Sequence, residues 1–205
     1  MGDRSETRRR RKIRAGLFLA LPLAAFFAEG AIAAGGSADS KEAAELVGKP
    51  AQEWAVEQWI HSPPLAISSL RGKVILVRWW TAPHCSFCAA SAPALNEFDH
   101  LYRGKGLVVI GFYHHKSPEP LDPIQVESFA RQFGFQFPVA IDPNWQTLNR
   151  WWLNGRERVW TSVSFLIDRQ GIIRYIHPGG SYVRGDPDYA ALKARIEELI
   201  SQSTR

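Results

Sequence analysis

No stretch of the chain approaches the roughly 18 uninterrupted apolar residues of a confident membrane span, which excludes a polytopic membrane protein. The 16 Gly and 13 Pro follow no repeating period, and 45% hydrophobic with 22% charged residues is ordinary globular material, so fibrous and disordered architectures fall away. A second cysteine pair is missing, as is any histidine pair at helical ligand spacing, and a structural zinc site needs four ligands. The formal charge of +5 lacks a basic stripe behind it. Residues 1–33 carry seven basic and three acidic residues, leaving 18 basic against 17 acidic in the other 172. A body that is nearly neutral has no electrostatic footprint for nucleic acid, so that class of partner is excluded.

What is present begins with a tripartite N-terminus. Basic residues from Arg8 to Arg14 precede an uncharged apolar segment, Ala15 to Ala28, and then small residues ending Ala31-Ile32-Ala33. This order is that of a secretory signal cleaved before Ala34, with an uncleaved membrane anchor as the alternative. Export to the periplasm or beyond is the expected destination. Residues 34–49 are small, polar and charged and read as a flexible tether, followed by one folded domain over 50–205.

Within that domain strands and helices alternate. Val74 to Val77 and Leu107 to Phe112 are continuous apolar, β-branched runs suited to central strands buried on both faces, and they suggest a parallel pair. Between them Cys88, Ala92, Leu95, Phe98 and Tyr102 recur at spacings of three and four, which predicts a helix over 86–102. The pairs Asp122-Pro123, Asp142-Pro143 and Asp186-Pro187 each offer an N-cap acceptor followed by proline at the first helical position. They predict helices over 123–133, 143–153 and 187–201. Val163 to Ile167 and Ile172 to His177 flank Asp168-Arg169-Gln170-Gly171 as a hairpin. The fold class is α/β, a mixed central sheet with helices on both faces.

The two cysteines form Cys85-Ser86-Phe87-Cys88, just after a buried strand and at the start of an amphipathic helix. A thiol there meets unsatisfied backbone N–H groups and the positive end of the helix dipole, which stabilise its thiolate. Cys85 is therefore the expected nucleophile. Cys88, one turn inside the helix, is placed to attack a mixed disulfide formed at Cys85. A purely structural disulfide is the competing reading, yet a four-residue loop removes only about 2 kcal/mol of unfolded-state entropy, against about 4 to 5 for a loop near 100 residues.

The run VILVRWWTAPHCSFC (Val74 to Cys88), the strand at Leu107 and SFLIDRQGIIRY (Ser164 to Tyr175) resemble exported thioredoxin-fold redoxins, the TlpA-like thiol-disulfide oxidoreductases. The resemblance covers about 50–199. It implies a thioredoxin-like fold, exchange with protein thiols and disulfides, a recycling partner and no cofactor. It also implies a site around Cys85 and Cys88 lined by Trp80, Pro83, His84, Ser86, Phe87, Ser162 and Val163.

Two positions depart from the family pattern. Thr81-Ala82-Pro83-His84 replaces a shorter loop that commonly carries an aromatic residue, and Ser162 stands where the family places a cis-proline. Without proline the Thr161–Ser162 peptide is expected to be trans. A protonated His84 would favour the Cys85 thiolate; a solvent-facing loop residue is the alternative. His114 and His115 are read as part of a solvated loop, and His177 as structural. Three other functions remain as alternatives: a module whose cysteines are structural, a copper carrier of the Sco type, and a peroxiredoxin. The last lacks its Pro-x-x-x-Thr/Ser-x-x-Cys motif, because Ala82 and Arg78 precede Cys85 at the required offsets.

Overall fold

The computed structural model describes residues 38–155, 158 and 160–202; the export signal read over residues 1–33 lies outside them. Six strands, Gln58–Ile60 (β1), Val74–Trp80 (β2), Leu107–His114 (β3), Val139–Asp142 (β4), Ser164–Ile167 (β5) and Ile173–His177 (β6), form one sheet in the order β1-β4-β3-β2-β5-β6. β2, β3 and β4 run parallel, while β1, β5 and β6 add antiparallel edges. Every residue of β2 is buried, as its unbroken apolar run predicts for a strand covered on both faces.

The alternation of side chains along β2 divides the core in two. Val74, Leu76 and Trp80 face one layer, where helices Ser86–Tyr102 (α2), Pro123–Gln132 (α3) and Pro187–Ser201 (α5) supply Leu95, Phe98, Val126, Leu192 and Ile196. Ile75, Val77 and Trp79 face the other, against Trp151 and Trp152. The charged exception is Arg78, which is fully buried in β2. Its guanidinium donates to the Gly180 carbonyl at 2.7 Å and lies 5.0 Å from the centre of the Tyr182 ring.

Asp122 and Asp186 cap α3 and α5 as expected, accepting from Ile124 N and Tyr189 N. Asp142 behaves differently. It ends β4 fully buried and accepts from Thr147 N at 3.2 Å and Leu148 N at 2.9 Å, so the helix expected from Pro143 starts three residues later. That short element, Gln146–Leu148 (which becomes α4), continues as a π-helical turn, Asn149–Leu153. The delay lies at Trp145, held in a left-handed conformation (φ 58°) while its indole donates to the His115 carbonyl at 2.8 Å. A long-range bond thus outweighs the local proline signal.

The tether expected over 34–49 also needs correction. Ala38–Leu46 is a helix (α1), with Ala43 buried and Leu46 packed against the second layer. Those two apolar residues stand three apart and share one helical face, a pattern too short to stand out among charged neighbours. Gly48 N and Lys49 O then bond to Ile173 at 2.8 and 3.0 Å, joining the segment to β6.

Candidate active site

The carboxyl end of β2 delivers the chain into the loop 81–84, and a turn bond from Cys85 N to the Ala82 carbonyl (3.0 Å) leads it into α2. Cys85 is the N-cap of that helix. Its sulfur accepts from Cys88 N at 3.3 Å, and a disulfide joins it to Cys88, with Cα atoms 5.3 Å apart. Cys85 is half-buried, whereas Cys88 is 3% exposed. The outer sulfur thus caps free N–H groups at a helix start and the inner one lies behind it, the asymmetry an attacking and a resolving thiol require.

A cleft of about 360 Å³ opens over the pair. Phe87 and Ser162, both expected at the site, line it. Thr81, His114, Lys116, Trp160 and Thr161 line it too, and Arg158 closes one side. The remaining expected residues take other places. Trp80 is buried in the core against Tyr113, Phe133 and Phe135, and Val163 is fully buried behind the cleft. Pro83 is half-buried, and Ser86 and His84 are exposed; none of the three lines the cleft. The Thr161–Ser162 peptide is trans, as no described peptide bond is cis.

His114 overturns the expectation of a solvated loop. β3 continues two residues beyond its apolar run, so His114 is 1% exposed, stacked edge-on against Trp145 and 3.0 Å from the Thr161 hydroxyl through Nε2. Burial holds its pKa down to about 3, with the positive charges of Lys116 and Arg78 adding to the effect and the Trp80 backbone opposing it. The ring is therefore neutral at physiological pH. Its sequence signal was its position at the carboxyl end of a parallel strand, where open α/β sheets place their sites. Lys116 follows two residues later, its ammonium 5.8 Å from the Trp145 ring centre and its pKa lowered by burial. The aromatic wall is Phe87 against Trp160, ring centroids 4.7 Å apart in an edge-to-face pair. Among the described residues no cluster of three or more His, Cys, Asp or Glu is arranged to hold a metal.

A CxxC disulfide capping the helix that follows a central strand, in a mixed sheet with helices on both faces, defines a thioredoxin-like protein. The solved thiol-disulfide isomerase from Corynebacterium glutamicum has that fold, superposing with a TM-score of 0.60 at 24% identity over 76% of this chain and 98% of its own. The Redoxin family model matches residues 49–193, and the chain belongs to that family. Among curated relatives, Protein DipZ of Mycobacterium bovis is 30% identical over 148 residues, 71% of this chain and 20% of DipZ. The thiol-disulfide oxidoreductase ResA of Geobacillus kaustophilus is 30% identical over 113 residues, 55% of this chain and 59% of ResA. The chain thus spans a fifth of the first relative's length and under two thirds of the second's.

Proposed function

We propose that this protein is an exported thiol-disulfide oxidoreductase acting as a reductase of protein disulfides. The observation that carries the reading is the unequal placement of the two sulfurs on the cleft: Cys85 half-buried at the N-cap, Cys88 buried one turn inside the helix. Its relatives support it, since ResA is named for this chemistry. The basic and apolar N-terminus ending Ala31-Ile32-Ala33 supports export to the periplasm or outside the cell.

In the reduced protein the Cys85 thiolate attacks one sulfur of a substrate disulfide. The S–S bond breaks, a mixed disulfide forms at Cys85, and the first substrate thiolate leaves. Cys88 then loses its proton to that departing thiolate and attacks the Cys85 sulfur. The second substrate thiol is released and the Cys85–Cys88 disulfide remains, so two electrons have passed from the dithiol to the substrate. A separate dithiol partner restores the reduced state.

Cells producing Cys88→Ser or Cys85→Ser, acid-quenched, alkylated and run on non-reducing gels, test these roles. Cys88→Ser should accumulate covalent complexes and Cys85→Ser almost none. Equal trapping by both would overturn the assignment, and trapping by neither would leave a structural disulfide. Intact mass of the exported protein tests the location: a mature chain beginning at or near Ala34 is expected, and an exported species retaining Met1 to Ala33 would refute cleavage.

A further inference from the structure

Among the described residues, the charged side chains that line the cleft are both basic. Lys116 and Arg158 line it, and no described Asp or Glu does. The two cations differ in what they already hold. Arg158 lies 4.1 Å from the Trp152 ring centre and donates to the Trp152 carbonyl at 3.1 Å, so its guanidinium is engaged with the protein. Lys116 forms no ion pair with any described residue. Lys116 is exposed, and its one described partner is the face of Trp145, 5.8 Å from its ammonium. Neutral His114 beside it supplies neither a competing cation nor a counter-ion. In the same cleft as Cys85, Phe87 and Trp160 are each 36% exposed, an edge-to-face aromatic pair in partial contact with water.

From this juxtaposition we infer that the cleft selects disulfides of polypeptides that carry a carboxylate and an apolar side chain beside the reacting cysteine, Lys116 pairing with the carboxylate and Phe87–Trp160 covering the apolar group. The inference rests on the oxidoreductase reading and adds a substrate class to it. A lone surface lysine contributes little to affinity. This one differs in its place: it lines the cleft that holds Cys85, beside the Trp145 ring, with no described carboxylate in that lining to compete for it. The aromatic pair adds apolar contact without requiring a particular sequence, which suits an enzyme meeting many disulfides. Selection acts on the first step, the encounter that brings the substrate sulfur to Cys85. The two-electron exchange itself is unchanged.

Three synthetic peptide disulfides decide the matter. Each is a symmetrical disulfide of a short peptide with Phe after the cysteine and then Glu, Gln or Lys, and each is mixed with pre-reduced full-length protein at low ionic strength. The native protein should react about fivefold faster with the Glu peptide than with the Gln peptide, and slower still with the Lys peptide. Added salt near 0.5 M should compress the series. In Lys116→Gln the Glu-to-Gln ratio should fall to about one, and Lys116→Arg should restore it. The ratio is taken within each variant, so a common change in reactivity cancels. A native ratio near one, or a full ratio retained by Lys116→Gln, would overturn the inference while leaving the oxidoreductase intact. Absence of exchange with all three peptides would overturn the oxidoreductase reading itself, and the substrate class with it.

Discussion

The hydroxyl of Thr161 lies 3.0 Å from Nε2 of His114, tying the segment before β5 to the end of β3 in the lining of the cleft. His114 is buried and Thr161 half-buried, and both line the cleft. The bond joins two walls of the site that are 47 residues apart in sequence, so it fixes the width of the cleft as well as the orientation of the ring.

Thr161→Val keeps the shape of the side chain and removes the hydroxyl. The buried Nε2 then loses its partner, at a cost of about 1 to 3 kcal/mol, and Thr161→Ser should recover most of it. Urea unfolding of the oxidised protein measures both. A Thr161→Val midpoint equal to the native one would show that this bond contributes nothing to stability.

Two buried histidines make stability depend on pH with a definite sign. Burial lowers His114 to about 3 and His177 to about 4; Arg78 lowers both further, and for His177 the Asp188 carboxylate 3.5 Å away opposes the shift. In the unfolded chain both rings titrate near 6.5, so below that pH the unfolded state binds more protons than the folded one. Their stabilising contribution is complete above about pH 6.5 and is lost as pH falls towards the folded values. Between pH 7 and 5 each group should remove about 2 kcal/mol. Urea midpoints at the two pH values should show the decline, and His177→Gln should remove about half of it. An equal decline in that variant would exclude His177 as a source.

The central strands, the helix over 86–102 and the hairpin were legible because each is specified locally: a buried run, a face at spacings of three and four, a turn. The two cysteines were legible for the same reason, since a helix start acts on its own cap. Phe87 and Ser162, expected at the site by resemblance, line the cleft. His114, Lys116 and Trp160 were not expected there, because the cleft joins them through the sheet rather than along the chain. Trp145 shows the limit from the other side: its indole bond to His115 delays a helix that Asp142-Pro143 locally favours. β1 and β4, of three and four residues, are too short for a periodic signal of their own.

Gly111 is required inside β3 by a neighbour on β2. A Cβ there would stand 2.8 Å from Trp80 Nε1 and 3.3 Å from Phe137 Cε2, and both rings are buried too tightly to swing away. Alanine in place of glycine ordinarily gains about 0.5 to 1 kcal/mol in an element's interior. Here overpacking, typically about 1 to 3 kcal/mol, should exceed that gain and leave Gly111→Ala less stable. Urea unfolding followed by tryptophan fluorescence measures it, and a variant at least as stable as the native protein would show that the Trp80 pocket yields.

Gly179 has a comparable relationship with the cleft wall. Its φ is +146°, which L side chains rarely adopt, and a Cβ at this position would overlap the Cβ of Trp160. That atom is fixed to the backbone, so relief requires movement of the segment that presents Trp160 to Phe87. Gly180 is an internal control. Its φ is +81° but a Cβ there meets nothing within 4 Å, so Gly180→Ala carries backbone strain without displacing Trp160. Gly179→Ala should therefore slow exchange with an aromatic-flanked peptide disulfide about three- to tenfold, by loss of apolar contact. Reaction with a small aliphatic disulfide, which does not reach the wall, should change little. Gly180→Ala should leave the preference for the aromatic peptide in place. Equal effects of the two substitutions on that preference would mean that strain in the 178–180 turn, rather than the position of Trp160, governs access to Cys85.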